Sequence, residues 1–286
     1  VNGNLTAPGE AALRADDHAI VVGDGVFETT KVVNGVPFAL SRHLRRLSRS
    51  ARGLGLDEPG EGRIRSAVDA VLAAEPTAGL LRITWSSGAG PLGSGRGGGP
   101  GTLVVSTSSG NTWPNAERVH LVPWMRNEHG ALTGLKTTSY AENVVALATA
   151  KRAGCTEALF RNTAGMLCEG TGTNVFIVIG DQLVTPPLSS GCLAGITREL
   201  VLELANRDLC GSAVDGVEVR DVNPRELLMA QEAFLTSATR NVSPISEVTG
   251  EVEIMFGPVS GNPAPGPVTT RVAAAFDELE ARDIDP

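Results

Sequence analysis

Residues 134–154 read GLKTTSYAENVVALATAKRAG, a stretch in which a lysine stands directly before a helix signal. Ser139 and Glu142 have the spacing of a capping box, and an apolar run at 144–147 follows them. Lys136 comes after an apolar Gly–Leu pair, so it is expected at the junction of a buried strand and this helix. A cation at such a junction is either a surface residue or a reactive amine.

Length and composition bound the class of protein. The chain has 286 residues, which suggests about two domains, and its 42% apolar and 20% charged content is typical of soluble globular proteins. The formal net charge of −8 gives no electrostatic support to a nucleic-acid partner. No apolar run approaches the roughly 20 residues of a membrane span, and the first residues show no signal peptide.

Cysteine and histidine positions argue against disulfide and metal chemistry. No C-x-x-C pair occurs, and no two histidines have the spacing of metal ligands. We therefore expect reduced thiols in a cytoplasmic protein and no metal site. The four cysteines are Cys155, Cys168, Cys192 and Cys210.

The order of predicted elements favours an α+β fold of two domains, because strands and helices alternate irregularly and hairpins are frequent. A small N-terminal domain is predicted at 1–107, a polar, turn-rich linker at 108–117 and a larger domain at 118–286. In the first domain a strand is predicted at 35–40, followed by a helix that Ser41 caps. The apolar positions expected to face the core are Leu44, Leu47 and Ala51 in that helix and Ile64, Val68, Val71 and Leu72 in the next.

The remaining elements are predicted from strand-forming residues and helical periodicity. The first domain has strands at 80–86 and 101–107 around a glycine-rich loop, 87–101. Strands of the second domain are predicted at 118–124, 156–160, 173–180, 182–187 and 233–239, and helices at 195–207 and near 267–282.

Four features carry chemistry, and each has an ordinary structural explanation when taken alone. Lys136 could form a Schiff base with an aldehyde cofactor if burial lowers its pKa from about 10.4, but a lone lysine is usually a surface residue. Glu169, followed by Gly170 and Gly172, could keep a pyridinium nitrogen protonated while the glycines let the backbone approach a flat ring. Otherwise it is a solvated glutamate in a turn.

Two further features concern an anionic group. Ile196 and Thr197 open a predicted helix after Gly195, and free amides at a helix start bind anions, although an ordinary capped helix looks the same. Arg46 stands beside the core-facing Leu47 and could bind a phosphate bidentately, or it could be a solvated arginine. Together the four features match the chemical needs of pyridoxal 5′-phosphate (PLP).

Six motifs make the chain resemble the class IV aminotransferases, the fold-type IV group of PLP enzymes. That group includes D-amino-acid, branched-chain and (R)-amine transaminases and 4-amino-4-deoxychorismate lyase. The motifs span nearly the whole chain: GDGVFETTKVVNG (23–35), HLRRL (43–47), LKTTSYAENV (135–144), EGTGTNVF (169–176), LAGITR (193–198) and FLTSATRNVSPI (234–245). The resemblance implies a small N-terminal α/β domain, a larger C-terminal domain with a barrel-like sheet, and a homodimer with its sites at the interface.

The resemblance also implies roles for individual residues. Lys136 would carry the internal aldimine with PLP and act as general base and acid, and Glu169 would pair with the pyridine nitrogen. The other implied cofactor-binding residues are Arg46, Ile196, Thr197, Ser237 and Thr239 at the phosphate, Leu193 on the ring face, and Arg126 and Tyr140 near the ring hydroxyl.

The substrate-facing residues do not match one subgroup. Glu28 and Lys31 are similar to D-amino-acid transaminases, whereas Thr29 and Thr30 resemble deoxychorismate lyases. Arg96 lies in a loop that crosses to the neighbouring subunit in the family, so it is a candidate carboxylate contact or a solvated arginine. The implied substrate pocket contains Phe27, Thr29, Lys31, Arg96, Ala238 and Arg240.

The resemblance therefore predicts a PLP-dependent transaminase that moves an amino group from a D-amino acid or (R)-amine to a 2-keto acid. A 4-amino-4-deoxychorismate lyase, which releases pyruvate and 4-aminobenzoate, and a branched-chain aminotransferase are alternatives. A non-catalytic binding protein is a third class of hypothesis, and the presence of both Lys136 and Glu169 argues against it.

Overall fold

A computed structural model describes residues 1–7, 9–10, 12–209, 214–256 and 264–286, so Cys210 lies outside the described residues. The chain divides into two compact units. The first contains residues 1–111, 135–140 and 283–286, and the second contains residues 112–134 and 141–282. The compact units therefore differ from the predicted domains at 135–140 and 283–286, two segments that were expected in the C-terminal domain.

The first unit is built on a four-stranded antiparallel sheet with the order β2-β1-β3-β4. The apolar faces of its second and third helices pack on the sheet, and Leu44, Leu47 and Ala51 are buried there as predicted. Its elements are β1 (Gly25–Val33), β2 (Val36–Pro37), β3 (Leu80–Ser86), β4 (Thr102–Ser108), α1 (His18–Val21), α2 (Leu40–Gly53) and α3 (Glu61–Ala74).

Two predictions at the start of α2 are wrong. The strand predicted at 35–40 is only two residues long, and the helix begins at Leu40 after Ala39, whose φ is 53°. Ser41 is therefore not the cap. Its backbone N–H and hydroxyl instead donate to the carboxylate of Asp285, at 2.8 Å and 2.5 Å.

The second unit holds a mixed nine-stranded sheet with the order β10-β9-β8-β11-β12-β5-β6-β7, and β13 pairs with β12. Its parallel pairs are β5–β6, β5–β12 and β9–β10. This sheet and the helices beside it confirm the predicted α+β class. The elements are β5 (Glu117–Arg126), β6 (Glu157–Asn162), β7 (Leu167–Gly170), β8 (Asn174–Ile179), β9 (Gln182–Thr185), β10 (Gly216–Val219), β11 (Glu232–Ser237), β12 (Asn241–Gly250), β13 (Ile254–Met255), α4 (Ala141–Arg152), α5 (Ile196–Leu204) and α6 (Pro267–Arg282).

The capping box predicted before α4 is wrong, because the helix begins at Ala141, two residues beyond Ser139. The Ser139 hydroxyl donates to the carbonyl of Gly23 at 3.2 Å. In the apolar run that follows, Val144 and Val145 are 64% and 51% exposed, whereas Ala146 is buried in the core.

Segment 135–140 is fixed within the first unit by backbone bonds to β1. The N–H of Phe27 donates to the carbonyl of Lys136 at 3.0 Å, and the N–H of Thr138 donates to Gly25 at 2.8 Å. Val26 and Thr137 form an isolated bridge between these two bonds. These contacts hold the Lys136 backbone alongside a buried strand, as its place in the sequence suggested.

Within the described ranges, no helix combines the length and the apolar character needed to cross a membrane. The same residues contain no cluster of three or more His, Cys, Asp or Glu side chains arranged for a metal ion.

Candidate active site

The amine of Lys136 lies in an aromatic environment. Its Nζ is 3.2 Å from the hydroxyl of Tyr140 and 4.4 Å from the centre of the Phe27 ring. The Lys136 backbone N–H donates to Ser50 Oγ at 3.2 Å, and the side chain is partly buried. No carboxylate among the described residues forms an ion pair with this amine.

Phe27 is the centre of this cluster, with a side chain only 4% exposed. The Tyr140 ring meets it edge-on, with centroids 5.1 Å apart. The guanidinium of Arg82 lies 3.8 Å from the centre of the same ring, so two basic side chains contact one aromatic side chain. Burial lowers the pKa of Arg82.

Sequence reasoning missed Arg82. It stands in β3 between the buried Leu81 and Ile83, and the period of two places it on the opposite face of the strand. Its cross-strand partner is Thr29, whose hydroxyl is buried and has no hydrogen-bond partner in the part of the chain that the structure describes. A single charged residue between two apolar neighbours in the strand was the available signal.

Arg46, the predicted phosphate ligand, lies in a buried ionic cluster of the first unit. Its Nε and Nη2 both donate to the Glu28 carboxylate at 2.7 Å. Nδ1 of His43 lies 2.6 Å from the same carboxylate, and all three side chains are at most 6% exposed. Burial would raise the pKa of Glu28, but Arg46 and His43 outweigh it and lower the pKa to about 2. Burial also lowers the pKa of His43.

This cluster predicts a pH-dependent stability. Because the pKa of Glu28 in the folded state, about 2, is below its ordinary 4.5, its contribution is full above pH 4.5 and lost as the pH falls toward 2. Glu28→Gln should lower the free energy of unfolding by about 3–5 kcal/mol at pH 7, since it removes one partner of a buried pair. Denaturant unfolding at several pH values should show the difference from wild type shrinking below pH 4.5.

The matched control for Glu28→Gln is Glu58→Gln, which removes an exposed ion pair with Arg52 from the same unit. Its effect should stay within about 1 kcal/mol at every pH. An equal and pH-independent loss in both variants would contradict the assignment of the stability to the buried cluster.

Glu169, the predicted partner of a ring nitrogen, is the third residue of β7 in the second unit. Its Oε2 accepts a hydrogen bond from the N–H of Leu193 at 2.9 Å. Its Oε1 lies 3.6 Å from Nε of Arg126, which is longer than a direct hydrogen bond. Nη1 of Arg126 donates to Glu142 at 2.8 Å and to Asn143 at 3.1 Å. The arginine thus keeps positive charge beside the Glu169 carboxylate.

The start of α5 has the features of an anion site. Gly195 occupies the cap position and has no side chain with which to bind the first amides. A Cβ on Gly195 would lie 2.0 Å from Oδ1 of Asn174, so glycine is required by this close approach. Ile196 and Thr197, the first two helical residues, are buried at 5% and 3% exposure.

The turn after β11 holds the two remaining predicted phosphate ligands. Ser237 Oγ accepts from the N–H of Arg240 at 3.2 Å. The carbonyl of Thr239 accepts from the indole N–H of Trp113 at 2.8 Å, and Ala238 between them is partly exposed. This turn, residues 237–240, lies in the same unit as Glu169 and the start of α5.

The cations predicted in the substrate pocket are occupied by other contacts. Arg240 is 8% exposed and binds two buried glutamates. Arg96 pairs with Asp24 at 2.7 Å and donates to two backbone carbonyls of the first unit. Nζ of Lys31 lies 4.8 Å from the Phe38 ring. A substrate contact by Arg96 or Arg240 would require these bonds to break.

Three cysteines, Cys155, Cys168 and Cys192, are buried free thiols. Burial raises the pKa of Cys168 and raises that of Cys192 to about 11. These two thiols are therefore protonated and weakly nucleophilic at neutral pH.

Each unit by itself contains groups suited to an aldehyde cofactor. In the first unit, the Lys136 amine makes no ion pair with the described carboxylates. In the second unit, a backbone N–H fixes the Glu169 carboxylate, and the start of α5 is suited to an anion. An aldehyde, a basic ring nitrogen and a phosphate are the groups of PLP that residues of these kinds bind.

Comparison with known proteins supports this interpretation. The chain is 29% identical to the D-alanine aminotransferase of Bacillus licheniformis over 96% of this chain and 94% of that protein. It is 33% identical to the bifunctional aminodeoxychorismate lyase / D-amino acid transaminase of Mycobacterium tuberculosis, covering 72% of this chain and 76% of that protein.

Solved structures share the fold. The branched-chain aminotransferase of Thermoproteus uzoniensis, solved with norvaline, superposes with a TM-score of 0.84 at 29% identity, covering 97% of this chain and 92% of that one. The PLP-bound form of a hypothetical aminotransferase from Mycobacterium tuberculosis superposes with a TM-score of 0.79 at 28% identity, covering 96% of both chains.

The family model for amino-transferase class IV matches residues 25–248, which include every motif of the resemblance except the first two residues of the first motif. Enzymes of this class depend on PLP, which confirms the cofactor expected from the sequence. The chain therefore belongs to the class IV aminotransferase family.

Proposed function

We propose that this chain is a PLP-dependent transaminase that moves an amino group from a D-amino acid or an (R)-amine to a 2-keto acid. The observation that carries the proposal is the Lys136 amine, which is held by Phe27 and Tyr140 and makes no ion pair with the described carboxylates. A homodimer located in the cytoplasm is part of the same proposal.

In this proposal Lys136 is the general base and the general acid. Bound PLP would supply the electron-withdrawing ring that stabilises charge at the substrate Cα. The Lys136 amine would be the attachment point for the cofactor aldehyde. Once free, its Nζ would accept the proton from the substrate Cα and deliver a proton to the carbon on the cofactor side of the substrate nitrogen. The Tyr140 hydroxyl accepts a hydrogen bond from Nζ at 3.2 Å and orients the amine.

The remaining residues hold the cofactor. Glu169 would accept a hydrogen bond from the ring nitrogen, and Arg126 places positive charge 3.6 Å from this carboxylate. The amides of Ile196 and Thr197 at the start of α5 would bind the phosphate, and the resemblance adds Arg46 and the hydroxyls of Ser237 and Thr239 to the same role. Leu193 would cover one face of the ring.

The surroundings of Lys136 support an anionic substrate. Arg82 and Lys136 contact the same ring, and Arg82 forms no ion pair within the described residues. The unpartnered hydroxyl of Thr29 lies opposite Arg82 across β1 and β3. A substrate carboxylate near these groups would gain a charge-assisted bond from Arg82 and a second bond from Thr29.

A second candidate is 4-amino-4-deoxychorismate lyase, because the relative from Mycobacterium tuberculosis combines this activity with D-amino acid transamination. The Thr29–Thr30 pair is in keeping with it. The same lysine would serve both reactions, since each begins with removal of the proton from the carbon that bears the substrate amino group.

A panel of amino donors tests the proposal. With PLP present, D-alanine or an (R)-amine should convert the bound cofactor to its amino form and yield a keto product with 2-oxoglutarate. Absorbance of the bound cofactor and chromatography of the products measure this. Turnover of L-branched-chain amino acids alone would favour a branched-chain aminotransferase. Release of pyruvate from aminodeoxychorismate without a keto-acid acceptor would favour the lyase.

A further inference from the structure

A buried ionic network surrounds Arg240 in the second unit. Nη2 of Arg240 lies 2.9 Å from Oε2 of Glu157, and Nη1 lies 3.4 Å from Oε1 of Glu117. Both glutamates are 0% exposed, and the guanidinium lies 4.0 Å from the centre of the Trp113 ring. Arg240 therefore forms ion pairs with two fully buried carboxylates. Loss of this arginine would destabilise the fold, because both buried charges would lose their cationic partner.

One side of this network fixes the turn 237–240. The indole of Trp113 stacks on the Arg240 guanidinium and donates its N–H to the carbonyl of Thr239 at 2.8 Å. The N–H of Arg240 donates to the hydroxyl of Ser237. Trp113 thus contacts both the Arg240 side chain and the backbone of Thr239. Together with the bond between Arg240 and Ser237, these contacts hold Ser237 and Thr239 in one arrangement.

The other side of the network fixes the loop that follows Glu169. Oε1 of Glu157 accepts from both the N–H and the hydroxyl of Thr171, at 3.2 Å and 2.5 Å. Gly170, between Glu169 and Thr171, has no room for a side chain, because a Cβ there would lie 2.1 Å from Oγ1 of Thr173 and 3.3 Å from Cγ of Glu157. The position of Glu157 therefore sets the course of the backbone directly after Glu169.

We propose that Arg240 is a positioning residue that couples two cofactor-binding segments, the turn 237–240 and the loop at 170–173. By binding Glu157 and Glu117 while stacking on Trp113, it holds both segments in the geometry that retains the PLP phosphate and aligns Glu169. This inference deepens the proposed function and rests on it. It also gives Arg240 a role away from the substrate pocket in which the sequence placed it.

The test compares PLP affinity with the stability of the apo-protein. Arg240→Met, which keeps much of the length but removes the charge and the planar fork, should raise the PLP dissociation constant at least tenfold. Arg240→Lys should give an intermediate value, because it restores charge without the fork or the stack. Equilibrium titration with PLP, under conditions where each apo-protein is folded, measures the constant, and urea unfolding measures stability separately.

The control is Arg118→Met, since Arg118 pairs with Glu247 across β5 and β12 but its side chain is half exposed. It should change the PLP dissociation constant less than twofold. If Arg240→Met lowers apo-protein stability yet binds PLP as tightly as wild type, Arg240 is only structural and the proposal is overturned.

Two further outcomes are decisive. If Arg240→Met does not fold, the variant Trp113→Phe is measured in its place. Phenylalanine keeps an aromatic surface at this position and removes only the N–H bond to Thr239. A raised dissociation constant in that variant supports the proposal, and an unchanged one refutes it. If the wild-type protein itself does not bind PLP, the proposed function fails. If the wild-type protein binds PLP and the variants bind it equally well, only the role proposed for Arg240 fails.

Discussion

Lys136→Ala should abolish turnover, with a fall of roughly 10⁴-fold or more, because the variant loses both the attachment point of the cofactor and the proton carrier. The contacts of this amine give the expectation its physical basis, since Phe27 and Tyr140 orient the amine without forming an ion pair with it. The variant should still fold, because the bonds that fix segment 135–140 to β1 are made by the backbone.

Chemical trapping makes this prediction specific. The chain has three lysines, Lys31, Lys136 and Lys151. Borohydride reduction of the PLP-loaded protein, followed by proteolysis and mass spectrometry, should place the cofactor on Lys136 alone. Lys151→Ala, which changes an exposed lysine in the last turn of α4, should retain wild-type turnover and labelling. Labelling of another lysine would remove the foundation of the proposed mechanism.

Local patterns predicted the fold wherever the decisive contacts are local. The buried face of α2 follows from the spacing of Leu44, Leu47 and Ala51, which any helix over these residues must bring together. The start of α2 could not be found in this way, because Ser41 is bound by Asp285 from the opposite end of the chain. Capping depends on such distant partners as much as on the local sequence.

The candidate site divides in the same way. Lys136 and Glu169 stand out because their motifs are contiguous in sequence, and the resemblance extends them to known chemistry. Arg82 was missed because its importance depends on the pairing of β3 with β1, which brings it to Phe27. The network of Arg240 joins the starts of two strands to a turn, and no spacing rule along the chain connects these segments.

Glu169→Gln should leave PLP bound but lower turnover by roughly 10²–10³-fold, in the range seen when one preorganised electrostatic contact is removed. The amide oxygen can still accept the N–H of Leu193, so the local backbone is expected to stay in place. The neutral side chain cannot hold a proton on the ring nitrogen, and removal of the substrate proton becomes slow. Single-turnover absorbance measurements separate this step from cofactor binding.

Glu142→Gln is the matched control, because Glu142 also contacts Arg126, at 2.8 Å, but its side chain is 49% exposed. If Glu169 acts directly on the cofactor ring, the control should lose less than threefold in turnover. If the two variants lose activity equally, the effect comes from the charge environment of Arg126, and Glu169 does not act on the ring nitrogen. A kinetic isotope effect with a Cα-deuterated donor, larger in Glu169→Gln than in wild type, would show that proton transfer has become limiting.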